Sequence, residues 1–325
     1  MRTNGLKFLG LIAIFTIFTF SCSDIDKTLN SNDDSISQIA QTNPNLTILA
    51  AALERTDLVN TLDSEGTYTM FAPTDTAFNT YLSANSYVSI DDVPVAALKE
   101  LLLNHVIGQV KKTIELPASG YVKTLAKGAA SSTNTLSMYV NITGGIVKLN
   151  GGAKVTNANI YATNGFMNIV DQVIGLPSIV THVSANPAFD TLESIVKSTS
   201  GTFGDQTAIA TALTTNVTPL TVFAPTNTSF ENATTGTGFA VGATASQFST
   251  VLLYHVTGGN VESSTLTQDM IVPMSTIPVQ NVTIDLVGGK KVKDQANFSS
   301  SIFAADIQCT NGIIHGVARV LQPAL

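Results

Sequence analysis

The sequence predicts an α+β protein built from two copies of one unit, and three observations carry that reading. Self-similarity comes first. Thr69-Met70-Phe71-Ala72-Pro73-Thr74-Asp75-Thr76-Ala77-Phe78 recurs as Thr221-Val222-Phe223-Ala224-Pro225-Thr226-Asn227-Thr228-Ser229-Phe230. Asn43-Pro44, Asn104-His105-Val106 and Thr163-Asn164-Gly165 return in the same order as Asn186-Pro187, Tyr254-His255-Val256 and Thr310-Asn311-Gly312, each about 150 residues later. Within each copy, apolar residues at helical spacing come first and strand-like runs separated by glycines come last. Composition agrees with a folded, exported chain: 44% hydrophobic residues suffice for a core, while only 12% are charged. Thr, Ser, Asn and Gly supply the polar surface instead.

Taken in order, residues 1–21 read as an export signal. Arg2 and Lys7 give a positive start, and Phe8 to Phe20 form an apolar run too short to span a bilayer. Ser21 is the small residue before Cys22, so Cys22 is a candidate lipidation site; the alternative is an ordinary secretory signal with an incidental cysteine. Residues 22–34 are polar and acidic, as in a tether. The first copy is expected over 35–177 and the second over 178–325, with a boundary near Leu176-Pro177. Leu46, Leu49, Ala50 and Leu53 mark one face of a helix. Thr69–Ala72 and Thr221–Ala224 read as strands stopped by proline, with Thr74-Asp75 and Thr226-Asn227 as caps for the turn that follows. Leu98, Leu101, Leu102 and His105 share a helical face, as do Phe248, Val251, Leu252 and His255. Gly144-Gly145, Gly151-Gly152 and Gly288-Gly289 signal hairpin turns, and an Asn-Gly turn precedes the last apolar strand of each copy.

These paired boxes resemble fasciclin-like domains, whose pattern is Thr-x-Phe-Ala-Pro-Thr-Asp/Asn-x-Ala-Phe, then Tyr/Asn-His, then Ala-Thr-Asn-Gly-x-x-His-x-x-Asp-x-Val-Leu-x-Pro. Six boxes in order cover essentially the whole body of the chain. The resemblance implies a β-wedge of two sheets with packed helices in each copy, and an adhesion protein of the cell surface. Thr19-Phe20-Ser21-Cys22 is similar to the lipobox of bacterial lipoproteins. Asp34-Ser35-Ile36, Asp75-Thr76-Ala77 and Asp190-Thr191-Leu192 resemble the O-glycosylation sequon of exported Bacteroidetes proteins. Two departures stand out: Asn168 replaces the terminal-box His, and Ala318 replaces its Asp. Copy one therefore keeps Asp171 without the His, and copy two keeps His315 without the Asp.

Little in the sequence points to catalysis. The four histidines, His105, His182, His255 and His315, lack metal-ligand spacing, so no metal is expected. A lone His on an apolar helix face, as at His105 and His255, reads as a hydrogen-bonded core residue. Cys309 and His315 are the one thiol–base candidate, yet Cys309 sits in a strand-like stretch and Ala162 replaces it in copy one. No nucleotide loop or nucleophile elbow is present, so no cofactor is expected. A net charge of −7 argues against a nucleic-acid partner, and none is expected. By resemblance to animal family members, Asp306-Ile307 corresponds to a cell-attachment element; the competing reading makes Ile307 a core residue and Asp306 its solvated neighbour. The loops 201–206 and 234–242 offer exposed surface for partners. The expectation is a lipid-anchored protein of the cell envelope, placed at the outer membrane. It would make non-enzymatic adhesive or matrix contacts with envelope or matrix proteins or glycans. The alternatives are a purely structural envelope protein and, ranking below it, an unrecognised hydrolase or carbohydrate-processing factor.

Overall fold

Alternation within one six-residue strand sets the architecture. In Tyr68–Pro73 (β1), Met70 and Ala72 pack under helices while Phe71 points into a second core on the opposite side of the sheet. The computed structural model describes residues 34–63, 66–215, 218–235 and 244–324. Copy one opens with helices Ile36–Thr42 (α1), Thr47–Arg55 (α2) and Val59–Asp63 (α3), then β1, then Asp75–Ala84 (α4) and Val95–Leu103 (α5). Strands Val106–Ile107 (β2), Ser119–Lys123 (β3), Ser137–Thr143 (β4), Ile146–Leu149 (β5), Ala153–Ala162 (β6) and Gly165–Val170 (β7) follow. Copy two repeats this plan. Its helices are Ile179–Ala185 (α6), Asp190–Val196 (α7) and Thr207–Thr215 (α8), then strand Leu220–Pro225 (β8), then Asn227–Thr235 (α9) and Ala245–Leu253 (α10). Its remaining strands are Val256–Gly258 (β9), Ile271–Pro273 (β10), Asn281–Asp285 (β11), Lys291–Lys293 (β12), Ser299–Cys309 (β13) and Gly312–Val317 (β14).

The strand order is β2-β1-β7-β6-β5-β4-β3 in copy one and β10-β11-β12-β13-β14-β8-β9 in copy two, which is the same order read from the other edge. The pairs β1–β7 and β8–β14 are parallel, with Tyr68 opposite Gly165 and Leu220 opposite Gly312. Two register shifts in β6, and two in β13, bend the long strand so that it serves both halves of the wedge. The wedge nearly closes: just past β3, the Leu125 N–H donates to the Val106 carbonyl at 2.9 Å, and Ser275 donates to Val256 at 2.8 Å in copy two.

Each copy holds two cores. The helical one in copy one is built on Ile36, Leu49, Leu53, Phe78, Leu98 and Leu102; the one inside the wedge is built on Phe71, Met138, Val140, Leu149 and Val170. Ala50, expected on the buried face of α2, is only half covered; Ala52 is buried there with Leu49 and Leu53. A glycine is required at the start of the last strand. A Cβ on Gly165 would lie 1.8 Å from the Tyr68 carbonyl oxygen, and one on Gly312 would lie 1.9 Å from that of Leu220, at φ of +149° and +151°.

Candidate functional site

The residues of the repeated boxes form one hydrogen-bond scaffold, drawn twice. Thr69 Oγ1 donates to the Gln109 carbonyl at 2.7 Å and accepts from the Lys111 N–H at 2.8 Å. Thr221 does the same with Gly259 and Val261. Thr74 caps α4 by accepting from the Ala77 N–H. Asp75 does not cap that turn, contrary to the sequence expectation: it reaches back to the N-terminus of α2, accepting from the Ile48 N–H at 2.8 Å and the Thr47 hydroxyl at 2.7 Å. Asn227 likewise serves Thr191 at the start of α7. Neither helix carries a capping side chain of its own, so the distant carboxylate or amide fills that position.

His105 and His255 are buried clamps. His105 Nδ1–H donates to the Leu101 carbonyl at 2.7 Å, which leaves Nε2 to accept from the Ile174 N–H at 2.8 Å. His255 pairs with Val251 at 2.7 Å and Leu321 at 2.9 Å. Both bonds fix the neutral tautomer, and burial pushes each ring's pKa down to about 4. The segment leaving the last strand is thereby pinned to the helix end. Asn164 and Asn311 are clamps as well. Asn164 Oδ1 accepts from the Ile36 N–H at 3.0 Å and its Nδ2 donates to the Leu62 carbonyl at 2.6 Å. Asn311 repeats both bonds with Ile179 and Leu213. The turn signal in the sequence thus hides a tie between the first helix, the third and the sheet.

Asp306 and its counterpart Asn159 sit at the bulge of the long strand, with φ of +61° and +59°. Asn and Asp tolerate that left-handed conformation better than other side chains. The Asp306 carboxylate accepts from the Ser263 N–H at 2.8 Å and from the Ser263 hydroxyl, and Asn159 accepts from the Thr113 N–H at 2.8 Å. Asp306 is therefore a cap for a neighbouring turn and not merely a solvated residue. Although burial opposes it, hydrogen bonding to Ser263 holds its pKa below the usual carboxylate range. Ile307 is buried in the helical core.

His315 serves the same bulge. Its Nδ1 accepts from the Asp306 N–H at 3.3 Å, and its Nε2–H donates to the Val261 carbonyl at 2.8 Å. Asn168 keeps the first bond, accepting from the Asn159 N–H at 2.8 Å, but its shorter side chain leaves Nδ2 without a partner. Asp171 holds the Lys154 N–H at 2.7 Å, so it and Asn168 serve separate backbone groups. The Cys309 thiol is buried, and desolvation pushes its pKa up, which keeps it protonated. Among the described residues, no group of three or more His, Cys, Asp or Glu could hold a metal ion.

The loop 201–206 is folded back on itself, with Gly201, Thr202 and Asp205 exposed. Ser198 Oγ donates to the Gly204 carbonyl, buried Gln206 holds the Phe203 carbonyl, and Phe203 packs edge-on against Phe248. Residues 236–242 of the loop 234–242, and Cys22, lie outside the described residues.

A second polar cluster joins the two copies, and no motif announced it. Tyr121 on β3 lies edge-on to buried His182 of α6 at 5.3 Å, and its hydroxyl accepts from Asn186 at 3.2 Å. Ser137 Oγ on β4 accepts from the Gln308 N–H at 3.0 Å, and Lys123 Nζ donates to the Asp306 carbonyl at 2.8 Å. Thr310 donates its N–H to Pro177 at 2.8 Å. The β3–β4 face of copy one is thus covered by α6 and β13 of copy two.

Two helix-backed, nearly closed sheet wedges in tandem, with their motif residues turned inward, define a class of domain-pair proteins. The Fasciclin domain model matches residues 44–177 and 189–323, and the chain belongs to that family. It is 24% identical to the transforming growth factor-beta-induced protein ig-h3 of Sus scrofa, over 93% of this chain and 40% of the relative. It thus spans about two fifths of that protein. Protein sll1483 of Synechocystis is 29% identical over 43% of this chain and 72% of its own length. The FAS1 domain pair of the insect cell adhesion molecule fasciclin I shares the fold, with a TM-score of 0.52 and 18% identity over 85% of this chain and 97% of that one.

Proposed function

We propose that the chain is a lipid-anchored cell-envelope protein that makes non-enzymatic adhesive or matrix contacts through its paired domains. In this reading residues 1–21 direct export, Cys22 is acylated at the outer membrane, and 22–34 tether the domains over 35–177 and 178–325. The partners are envelope or matrix proteins or glycans. The observation that carries the reading is the inward use of the box histidines, of Asp306 and of the two clamp asparagines. His105, His255, His315, Asp306 and both clamp asparagines bind backbone groups of their own copy, so the surface is left to make contacts. The likeness to an insect cell adhesion molecule supports the same direction.

The test is attachment of beads carrying the full chain, against bare beads, to a panel of envelope preparations, matrix proteins and glycans. Attachment above the bare beads is expected for at least one class. Background-level attachment throughout would favour a spacer that stabilises its neighbours without a specific ligand.

A further inference from the structure

The contact between the copies uses two faces, and each face exists twice in the chain. The acceptor face in copy one is the outer side of β3–β4 with the loop that joins them. There Tyr121 and Lys123 meet copy two, and a Cβ on Gly128 would lie 3.3 Å from the Thr310 backbone. Matching backbone bonds and registers align Tyr121 with Ile271, Lys123 with Pro273, Ser137 with Asn281 and Tyr139 with Thr283. The donor face in copy two is α6 with β13, and its counterpart in copy one is α1 with β6. His182 corresponds to Ile39, Gln308 to Tyr161 and Thr310 to Thr163.

One acceptor and one donor are joined within the chain; the other two are left uncovered by the described residues. Ile271 and Pro273 replace Tyr121 and Lys123 on the free acceptor face, and Ile39 and Tyr161 replace His182 and Gln308 on the free donor face, while Asn281 and Thr283 keep the acceptor face polar where Ser137 and Tyr139 stood. On the free acceptor face, Ile271 is 65% exposed, and in the loop beyond β10 Ile277 is 94% and Val279 65% exposed. On the free donor face Tyr161 is 56% exposed, whereas its counterpart Gln308 is fully covered at the joined interface. Ile39, part-buried against the helical core of its own copy, occupies the place of buried His182. Exposed Ile271, Ile277 and Val279 on one face and Tyr161 on the other leave apolar surface where the same two faces already meet within the chain.

We propose that a second copy of this chain docks head to tail. The β10–β11 face of one molecule, with Ile271, Ile277 and Val279, covers the α1–β6 face of the next, with Ile39 and Tyr161. The contact repeats the one already made between the two copies. Because the two faces differ, the association is heterologous and extends into open chains rather than closing as a two-fold dimer.

The experiment uses the full chain with a benzophenone side chain at position 271, mixed with isotopically labelled chain and irradiated. Cross-links from 271 of one isotope to residues 36–43 or 159–163 of the other are expected. Ile271→Asp and Tyr161→Asp should each weaken self-association at least tenfold in sedimentation, with unchanged circular dichroism. A mixture of the two variants should pair as dimers and stop, since only one good acceptor and one good donor remain. Cross-links from 271 to 271, cross-links confined to one molecule, or a monomer at every attainable concentration would overturn the proposal.

Discussion

Replacing His255 by alanine removes both halves of a buried clamp. The Leu321 N–H and the Val251 carbonyl lose partners at 2.9 and 2.7 Å, in a region where Leu321 and Val251 are themselves buried. Each orphaned group costs about 1–3 kcal/mol, and partial relaxation puts the expected total near 3 kcal/mol. The same ring supplies a second signature. Its folded pKa of about 4 lies below the unfolded value of 6.5, so in acid the unfolded chain binds a proton that the folded one refuses. The wild-type advantage is whole above the unfolded pKa and is lost as pH falls toward the folded one, by about 1.4 kcal/mol per unit. The alanine variant has no such loss. Its deficit against wild type should therefore shrink by about 2 kcal/mol between about pH 7 and pH 5. Guanidinium unfolding of the full chain, followed by circular dichroism at both pH values, reads the two numbers. A deficit that stays constant or widens in acid would refute a neutral, buried imidazole. A deficit below about 1 kcal/mol at about pH 7 would refute the clamp.

Gly312→Ala should destabilise copy two by more than about 3 kcal/mol, because its Cβ would fall 1.9 Å from the Leu220 carbonyl oxygen; a melting curve matching wild type would contradict that approach. Asn311→Ala should cost about 2–3 kcal/mol by freeing the Ile179 N–H and the Leu213 carbonyl, and Asn311→Asp should be no better at neutral pH, because its second carboxylate oxygen would face the Leu213 carbonyl. Unfolding midpoints of the three chains rank them. Cys22→Ala should move the protein from the detergent phase to the aqueous phase. A wild-type N-terminus without acyl mass would rule out the lipid anchor.

Much of this architecture is readable from short-range pattern. Met70, Phe71 and Ala72 alternate as a strand buried on both sides must, and Leu98, Leu101, Leu102 and His105 mark a helix face by spacing alone. The duplication carries the rest of the plan from one copy to the other. Partners distant in sequence are another matter. Asp75 sits beside Thr74, a good cap, and nothing local says that it serves a helix 27 residues upstream. Asn164 looks like a turn residue because it precedes a glycine, while its partners lie 128 and 102 residues away. Asp306 reads as a charged surface residue until the bulge and Ser263 are seen together. The joint between the copies is not legible in the sequence for a related reason: Tyr121, Ser137 and His182 are not conspicuous singly, and only the fold brings them to one place.

The inward role of the box residues is tested most directly at Asp306. Asp306→Asn imitates Asn159 of copy one, which holds the matching bulge and caps Thr113 in the same way. Beads carrying this variant should attach as well as wild type, per folded molecule, to whichever partner class the wild-type chain binds. The unfolding midpoint should show only a modest loss. If attachment disappears while stability is retained, Asp306 is a ligand contact, and the assignment of the boxes to internal support is wrong.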